Sequence, residues 1–261
     1  MRRSKVTVAL AVVLAAGVAA APSAPGSPGV EEEQVFVVGQ AIYAADEDDA
    51  QYAGASAPTE DTACSDSSYA LKTWKVSGTY NWYYNGDGAP PAIASNALAA
   101  ITSSGDTVAK GLNRCGITSG LTTAYKYAGT EKIKPQVASD LTCTGNDGKS
   151  VTGWGALPPK VLAYTCTFFN AKGVVIASDA LIDNVVYTWF TTKPANCSGQ
   201  LYDLETTMTH ERLHTAGLAH VDQVRNAAQT MTPSSAPCDT SRRLLGAGDL
   251  AGLKAAGTSK K

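Results

Sequence analysis

The residues best suited to chemistry in this chain of 261 residues are three histidines and a glutamate that lie close together. Histidines four apart on a helix project from one face, so His210 and His214 can both reach one metal ion. Glu211 is rotated from His210 by about 100° and can contact a water molecule on that ion without ligating it. Gly217 can adopt the left-handed conformation that ends a helix, which lets His220 return as a third ligand. Three histidines and a water molecule form the open tetrahedral set of a catalytic zinc.

The spacing of these residues is unlikely to arise by chance. The pattern HExxHxxGxxH fixes five positions, and its chance occurrence in a chain of this length is on the order of one in a hundred thousand. The chain has three histidines in total, and all of them are in this pattern. Structural histidines would be scattered instead. We therefore predict one histidine-ligated zinc per chain and no histidine general base elsewhere.

The pattern resembles the zinc-binding consensus of the metzincin peptidases, and the chain is most similar to the matrixin-like branch found in secreted bacterial proteins. The similarity is strongest over residues 153–231. It implies a metzincin-like catalytic domain of the α+β class, with a mixed twisted sheet, an active-site zinc helix, a methionine-bearing turn (the Met-turn) and a C-terminal helix. Met231 follows His220 at a spacing that fits this turn. Leu213 and Val221 depart from the family pattern, so the subfamily stays open.

The resemblance implies a zinc metalloendopeptidase, a hydrolase in which a zinc-activated water attacks the peptide bond and Glu211 is the general base. It also implies that extended protein or peptide substrate pairs with an edge strand near residues 174–180. The chain after Met231, through Cys238, would form one wall of an apolar pocket beyond the scissile bond. Two alternatives stay open: a zinc-binding protein of the same scaffold without proteolysis, and a zinc amidase acting on cell-wall material. A binding protein would not need Glu211.

The elements that must position these residues follow from periodicity and helix breakers. Residues 203–216 are predicted to form the zinc helix, because they open with acids and end before Gly217. Strand-like segments come before this helix, an order that favours α+β over a doubly wound sheet. We predict helices over residues 91–102 and 249–256, a strand pair over 70–84, and a hairpin of strands 161–169 and 174–183.

The N-terminal part of the chain is predicted to be removed or to regulate the rest. Residues 1–21 have a basic start and an apolar run, which is typical of a signal peptide and predicts a secreted, extracellular protein. Residues 22–61 carry nine acidic and no basic side chains, which predicts an acidic pro-segment or linker. Its apolar patch, residues 35–38, is a candidate strand that docks on the body. We hypothesise that this segment keeps a zymogen latent through charge and strand pairing. The catalytic domain is assigned to residues 62–257 and a basic tail to 258–261.

Six cysteines form an even set, which in an exported protein predicts three disulfides. Among the fifteen connectivities we prefer bridges between sequential neighbours: Cys64–Cys115, Cys143–Cys166 and Cys197–Cys238. The body is too weakly basic to predict nucleic-acid binding. Nothing after the signal peptide is long and apolar enough to span a membrane. We expect a monomer.

Acidic residues near the motif are given structural roles. Asp203 and Glu205 are expected to favour the N-terminus of the zinc helix electrostatically. Asp249 is expected to cap the C-terminal helix and to brace the methionine turn. Asp179 and Asp183 are interpreted as scattered surface acids, so a Ca2+ site has no further support in the sequence.

Overall fold

The computed structural model of the chain describes residues 34–45 and 61–258. The predicted signal peptide and most of the acidic segment lie outside these residues, so both stay predictions. The strands are β1 (Val35–Ala44), β2 (Ala70–Leu71), β3 (Thr79–Tyr84), β4 (Ala124–Thr130), β5 (Val151–Gly155), β6 (Val161–Asn170), β7 (Val175–Asp183), β8 (Thr188–Phe190), β9 (Leu201–Asp203), β10 (Leu218–Ala219) and β11 (Ser234–Ser235). The helices are α1 (Thr62–Ser65), α2 (Ala94–Lys110), α3 (Leu204–Ala216) and α4 (Ala247–Thr258), with a 3-10 turn at Ser241–Arg243.

Seven of the strands form one mixed sheet in the order β11-β1-β6-β7-β5-β3-β4. Neighbours are parallel except at β6, which runs antiparallel to both β1 and β7. Helices α2 and α3 pack against each other, and α3 also contacts β6. The described residues therefore form a mixed α and β architecture with a mainly parallel sheet and few helices, and the mixed sheet expected from the sequence is confirmed.

The predicted hairpin is present as β6 and β7. Its turn is fixed by Asn170, whose side-chain oxygen accepts hydrogen bonds from the N–H groups of Lys172 and Val174, both at 3.0 Å. Gly173 has a φ of +69°, and a Cβ there would come within 2.4 Å of the carbonyl oxygen of Thr73. The turn therefore requires glycine at this position.

The edge-strand prediction was wrong. The strand near residues 174–180 is β7, which lies inside the sheet between β6 and β5. Of the two hairpin strands, β6 lies nearer to the sheet edge, and its outer side is covered by β1 and then β11. The error arose because a hairpin in sequence does not reveal which of its two strands lies further out. The apolar patch 35–38 does dock as a strand, within the longer β1.

Two further element predictions need correction. Residues 70–84 do not form a strand pair, because β2 pairs with β10 while β3 lies in the main sheet between β5 and β4. Helix α2 extends well beyond residue 102, since small or apolar residues such as Ser104, Gly105 and Val108 continue its buried face. It ends at Gly111, which adopts the left-handed conformation.

Three disulfides join the cysteines in the sequential pairing preferred from the sequence: Cys64–Cys115, Cys143–Cys166 and Cys197–Cys238. Each bridge can stabilise the fold by about 2–4 kcal/mol, chiefly by restricting the unfolded chain. Within the described residues, no helix has the length and apolar character needed to cross a bilayer.

Candidate metal centre

Helix α3 carries the first two histidines and is buried along almost its whole length. Asp203 caps its N-terminus by accepting from the N–H of Thr206 at 3.0 Å, and Glu205 lies in the first turn. Gly217 ends the helix with a φ of +102°, and a Cβ there would lie 2.1 Å from the carbonyl oxygen of Trp74. The helix therefore stops at one defined residue, and the chain turns back toward it.

The turn brings His220 to the other two histidines. The Nε2 atoms form a nearly equilateral triangle, with 3.0 Å between His210 and His214 and 3.1 Å from each of these to His220. Among the described residues this is the one group of histidines, cysteines and acids whose ligand atoms converge in this way. The three histidines can hold a metal ion.

Two of the rings are fixed by hydrogen bonds from their other nitrogen. His210 Nδ1 bonds the carbonyl oxygen of Thr230 at 2.7 Å, and His214 Nδ1 bonds that of Leu218 at 3.0 Å. A carbonyl only accepts, so each Nδ1 carries the proton and each Nε2 is left with a free lone pair. Burial, reinforced by the neighbouring histidines, lowers the pKa of both rings well below the ordinary value. Burial and the nearby Lys72 lower the pKa of His220 to about 4.

This donor set fits zinc. Neutral imidazole nitrogens are among its preferred ligands, at about 2.0–2.1 Å, and at tetrahedral angles such nitrogens stand about 3.4 Å apart. The observed separations of 3.0 and 3.1 Å are a few tenths of an ångström shorter. Calcium and magnesium prefer oxygen ligands, which this triangle does not offer.

Comparisons with known proteins add little to this geometry. Neither a protein-family model nor a curated protein matches the sequence. Among solved structures, the chain is similar to the crystal structure of metalloproteinase-II from Bacteroides fragilis, with a TM-score of 0.38 and 14% sequence identity. The alignment covers 80% of this chain and 60% of that one, so the chain spans less than two thirds of the length of that protein.

Glu211 is fully buried, and each of its carboxylate oxygens accepts one hydrogen bond. Oε1 accepts from the backbone N–H of Ile42 at 3.1 Å, and Oε2 accepts from the hydroxyl of Thr165. Burial raises the pKa of Glu211 to about 8, although both hydrogen bonds and the nearby Arg212 lower it. The sequence had not assigned a role to Thr165 or Ile42, since neither residue type signals chemistry by itself.

Met231 is buried in a loop that is tied to the third histidine. Its carbonyl oxygen accepts from the N–H of Val221, the residue after His220, at 3.0 Å. Its own N–H donates to Asp249 Oδ1 at 3.1 Å, and the N–H of Thr230 donates to Oδ2 at 2.8 Å. Asp249 therefore holds this loop, as expected from the sequence.

The chain after Met231 is held by a buried arginine that the sequence did not single out. Nη1 of Arg242 donates to the carbonyl oxygen of Ser234 at 2.9 Å and also to the hydroxyl of Thr232. Its Nε lies 3.3 Å from Asp239 Oδ2, so the two charges form an ion pair. These contacts of Arg242 therefore fix the position of the β11 backbone.

The interpretation of Asp179 and Asp183 as surface acids was wrong. Both are buried, and their carboxylates accept hydrogen bonds from backbone N–H groups. Asp179 accepts from Val151 at 2.8 Å and from Gln136 at 3.1 Å. Asp183 accepts from four N–H groups, among them that of Leu157 at 3.2 Å. Their oxygens are occupied by the fold and do not form a cation site.

Proposed function

We propose that the chain is a secreted zinc-dependent endopeptidase, in which His210, His214 and His220 hold the ion and Glu211 is the general base. The observation that carries this proposal is the triangle of Nε2 atoms. Two of its histidines lie on α3, which also carries Glu211 in the position after His210, and the third, His220, follows the turn at Gly217. The HExxHxxGxxH spacing and its resemblance to metzincins support the same assignment. The three disulfides fit an oxidising compartment.

A zinc ion bound here would act as a Lewis acid. It would lower the pKa of a bound water molecule and polarise a peptide carbonyl. Glu211 would take a proton from the attacking water and pass it to the leaving nitrogen. The water hydroxyl ends on the carbonyl carbon, and its proton ends on the amine. Oε1 is 3.1 Å from a peptide nitrogen, which is within the range for such a transfer. The Thr165 hydroxyl on Oε2 holds the carboxylate in one orientation.

The experiment that tests this proposal is digestion of casein, an unstructured protein, by the full chain with and without a chelator. Glu211→Gln should still bind zinc but lose at least about 100-fold in rate, because a general base contributes roughly that much or more. Glu131→Gln, at a surface glutamate that pairs with Lys149, is the matched control and should keep full activity.

The outcomes separate the alternatives. Hydrolysis that persists in Glu211→Gln or in the chelator would overturn the proposal. Zinc binding by the wild type without any hydrolysis would indicate a binding protein. Release of amino groups from cell-wall material, with casein left intact, would indicate an amidase.

A further inference from the structure

Part of the acidic segment occupies the position where an extended peptide would pair. From Val35 to Tyr43, β1 runs antiparallel to β6, and at Tyr43 and Ala44 it runs parallel to β11. The N–H of Tyr43 also donates to the carbonyl oxygen of Pro233 at 2.9 Å. Backbone pairing of this kind is how proteases and other peptide-binding proteins hold extended segments. The groove between β6 and β11 is therefore filled by the chain itself.

One peptide bond of β1 lies across the candidate centre. Its nitrogen, that of Ile42, donates to Oε1 of Glu211 at 3.1 Å. The backbone of the preceding residue, Ala41, hydrogen-bonds the ring of His220. The bond Ala41–Ile42 thus has its nitrogen on the proposed base and its carbonyl side toward the third histidine.

The side chains around this bond are the most enclosed of the strand. Ile42 is 1% exposed and belongs to the main buried cluster, and Ala41 is 3% exposed, whereas Val35 and Val37 are each 45% exposed. Gly39 lies directly under the ring of Tyr164, and a Cβ there would come within 1.8 Å of the phenol oxygen. The strand is thus paired along its length, with its side chains enclosed around the Ala41–Ile42 bond and exposed at its start.

We propose that β1 is an intramolecular substrate, which blocks the groove until the site hydrolyses the Ala41–Ile42 bond. This inference rests on the proposed function. In the step, the C–N bond between Ala41 and Ile42 breaks, the hydroxyl of a water molecule joins the Ala41 carbonyl carbon, and the proton goes to the Ile42 nitrogen. The products are a leader that ends at Ala41 and a body that begins at Ile42.

A tethered strand competes strongly with external peptides. Its effective concentration is on the order of millimolar, so casein at micromolar concentration should be cut at least about tenfold more slowly before the leader is released than after it. The position of β1 also predicts substrate preference. The pocket beyond the scissile bond encloses the side chain of Ile42, so it should prefer a branched apolar side chain.

The first test follows the intact mass of the metal-free full chain after zinc is added. We expect a single cut that creates an N-terminus at Ile42, with a first-order rate that is unchanged by tenfold dilution. The onset of casein hydrolysis should follow the appearance of this terminus.

The second test does not depend on hydrolysis. Amide hydrogen exchange of the metal-free chain should show protection of β1 and β6 in the wild type. Ile42→Asp should remove the protection of β1 and shorten the lag with casein, because a carboxylate would replace the enclosed side chain. Val185→Asp, at a residue that is 68% exposed, is the matched control and should preserve both the protection of β1 and the lag with casein. A second variant, Glu211→Gln, keeps Ile42, and in its metal-free form β1 should stay protected from exchange. It provides a test of β1 docking if Ile42→Asp does not fold.

The outcomes distinguish this inference from the function on which it rests. Casein hydrolysis without a lag, or a first cut elsewhere in the chain, would overturn the inference alone. Exchange of β1 as fast as an unstructured segment would also overturn it. A chain that cuts neither casein nor its own leader, in the wild type and in Ile42→Asp, would overturn both proposals.

Discussion

The imidazole of His210 and the backbone of Thr230 are joined by a hydrogen bond of 2.7 Å, from Nδ1 to the carbonyl oxygen. The N–H of the same Thr230 donates to Asp249 at 2.8 Å. Asp249 also accepts from Met231 and Gly246, and it belongs to the C-terminal helix α4. The backbone of one residue, Thr230, therefore connects the last helix of the described residues to the orientation of a metal-site histidine.

We predict that Asp249→Asn weakens zinc binding about tenfold, the lower range for loss of a group that orients a metal ligand. The amide nitrogen would face an N–H group where the carboxylate now accepts one, so the loop that holds Thr230 must shift. The measurement is zinc affinity by competition with a chromophoric chelator. Asp106→Asn, at an exposed aspartate in α2, is the matched control. Equal affinities for the two variants would contradict the connection.

Replacement of Gly217 is predicted to destabilise the fold strongly. Gly217→Ala would place a Cβ 2.1 Å from the backbone of Trp74 in addition to straining a left-handed residue. We expect the free energy of unfolding to fall by more than about 3 kcal/mol, since strain alone costs roughly 1–3 kcal/mol. Zinc binding should be lost as well, because His220 depends on this turn.

The control for this prediction is Gly120→Ala. Gly120 has a φ of +64° but no atom within 4 Å of its added Cβ, so the variant has the strain without the clash. Urea unfolding should give a loss of about 1 kcal/mol for it. If the two variants lost equal stability, the close approach to Trp74 would have no energetic weight.

Much of this arrangement could be predicted from the sequence because it is local. The limits of α3 follow from Asp203 and Gly217, and the hairpin turn from Asn170 and Gly173. The convergence of the three histidines on one point follows from the helical repeat and one glycine turn. In each case the residue type has a strong conformational preference over a few neighbouring positions.

The rest could not be predicted because it depends on contacts between distant segments. Ile42 and Glu211 are 169 residues apart, and nothing in either residue indicates the other. Asp179 and Asp183 look like ordinary surface acids until the fold surrounds them with backbone N–H groups. Which strand of a hairpin lies further out likewise depends on what packs beside it.

We predict that Arg243→Met destabilises the fold by roughly 3 kcal/mol, because it leaves the fully buried carboxylate of Asp203 without its cation. Nε and Nη2 of Arg243 bond the two oxygens of Asp203 at 2.7 and 2.6 Å. Urea unfolding measures the loss. Arg225→Met, at an arginine 82% exposed and paired with Asp222, should change stability by less than about 1 kcal/mol. A loss as small as this in Arg243→Met would show that Asp203 needs no cation.

The pH dependence of stability should carry a contribution from Asp179. Burial raises the pKa of Asp179 from 3.8 to about 7, although its two backbone hydrogen bonds lower it. Between these two values the folded state binds more protons than the unfolded state, so stability falls as pH rises. The contribution is fully present below pH 3.8 and is lost as pH rises through about 7.

Asp179→Asn removes this titration, so the difference in unfolding free energy between wild type and variant should change with pH. We expect the wild type to lose on the order of 3 kcal/mol relative to the variant between pH 4 and pH 8. Urea unfolding at several pH values measures the difference, and the other titrating groups cancel because both chains share them. Asp87→Asn, at an aspartate 61% exposed, is the control, and its unfolding free energy should change with pH in the same way as that of the wild type. A constant difference between wild type and Asp179→Asn would mean that Asp179 is ionised throughout, with its charge stabilised by the N–H groups of Val151 and Gln136.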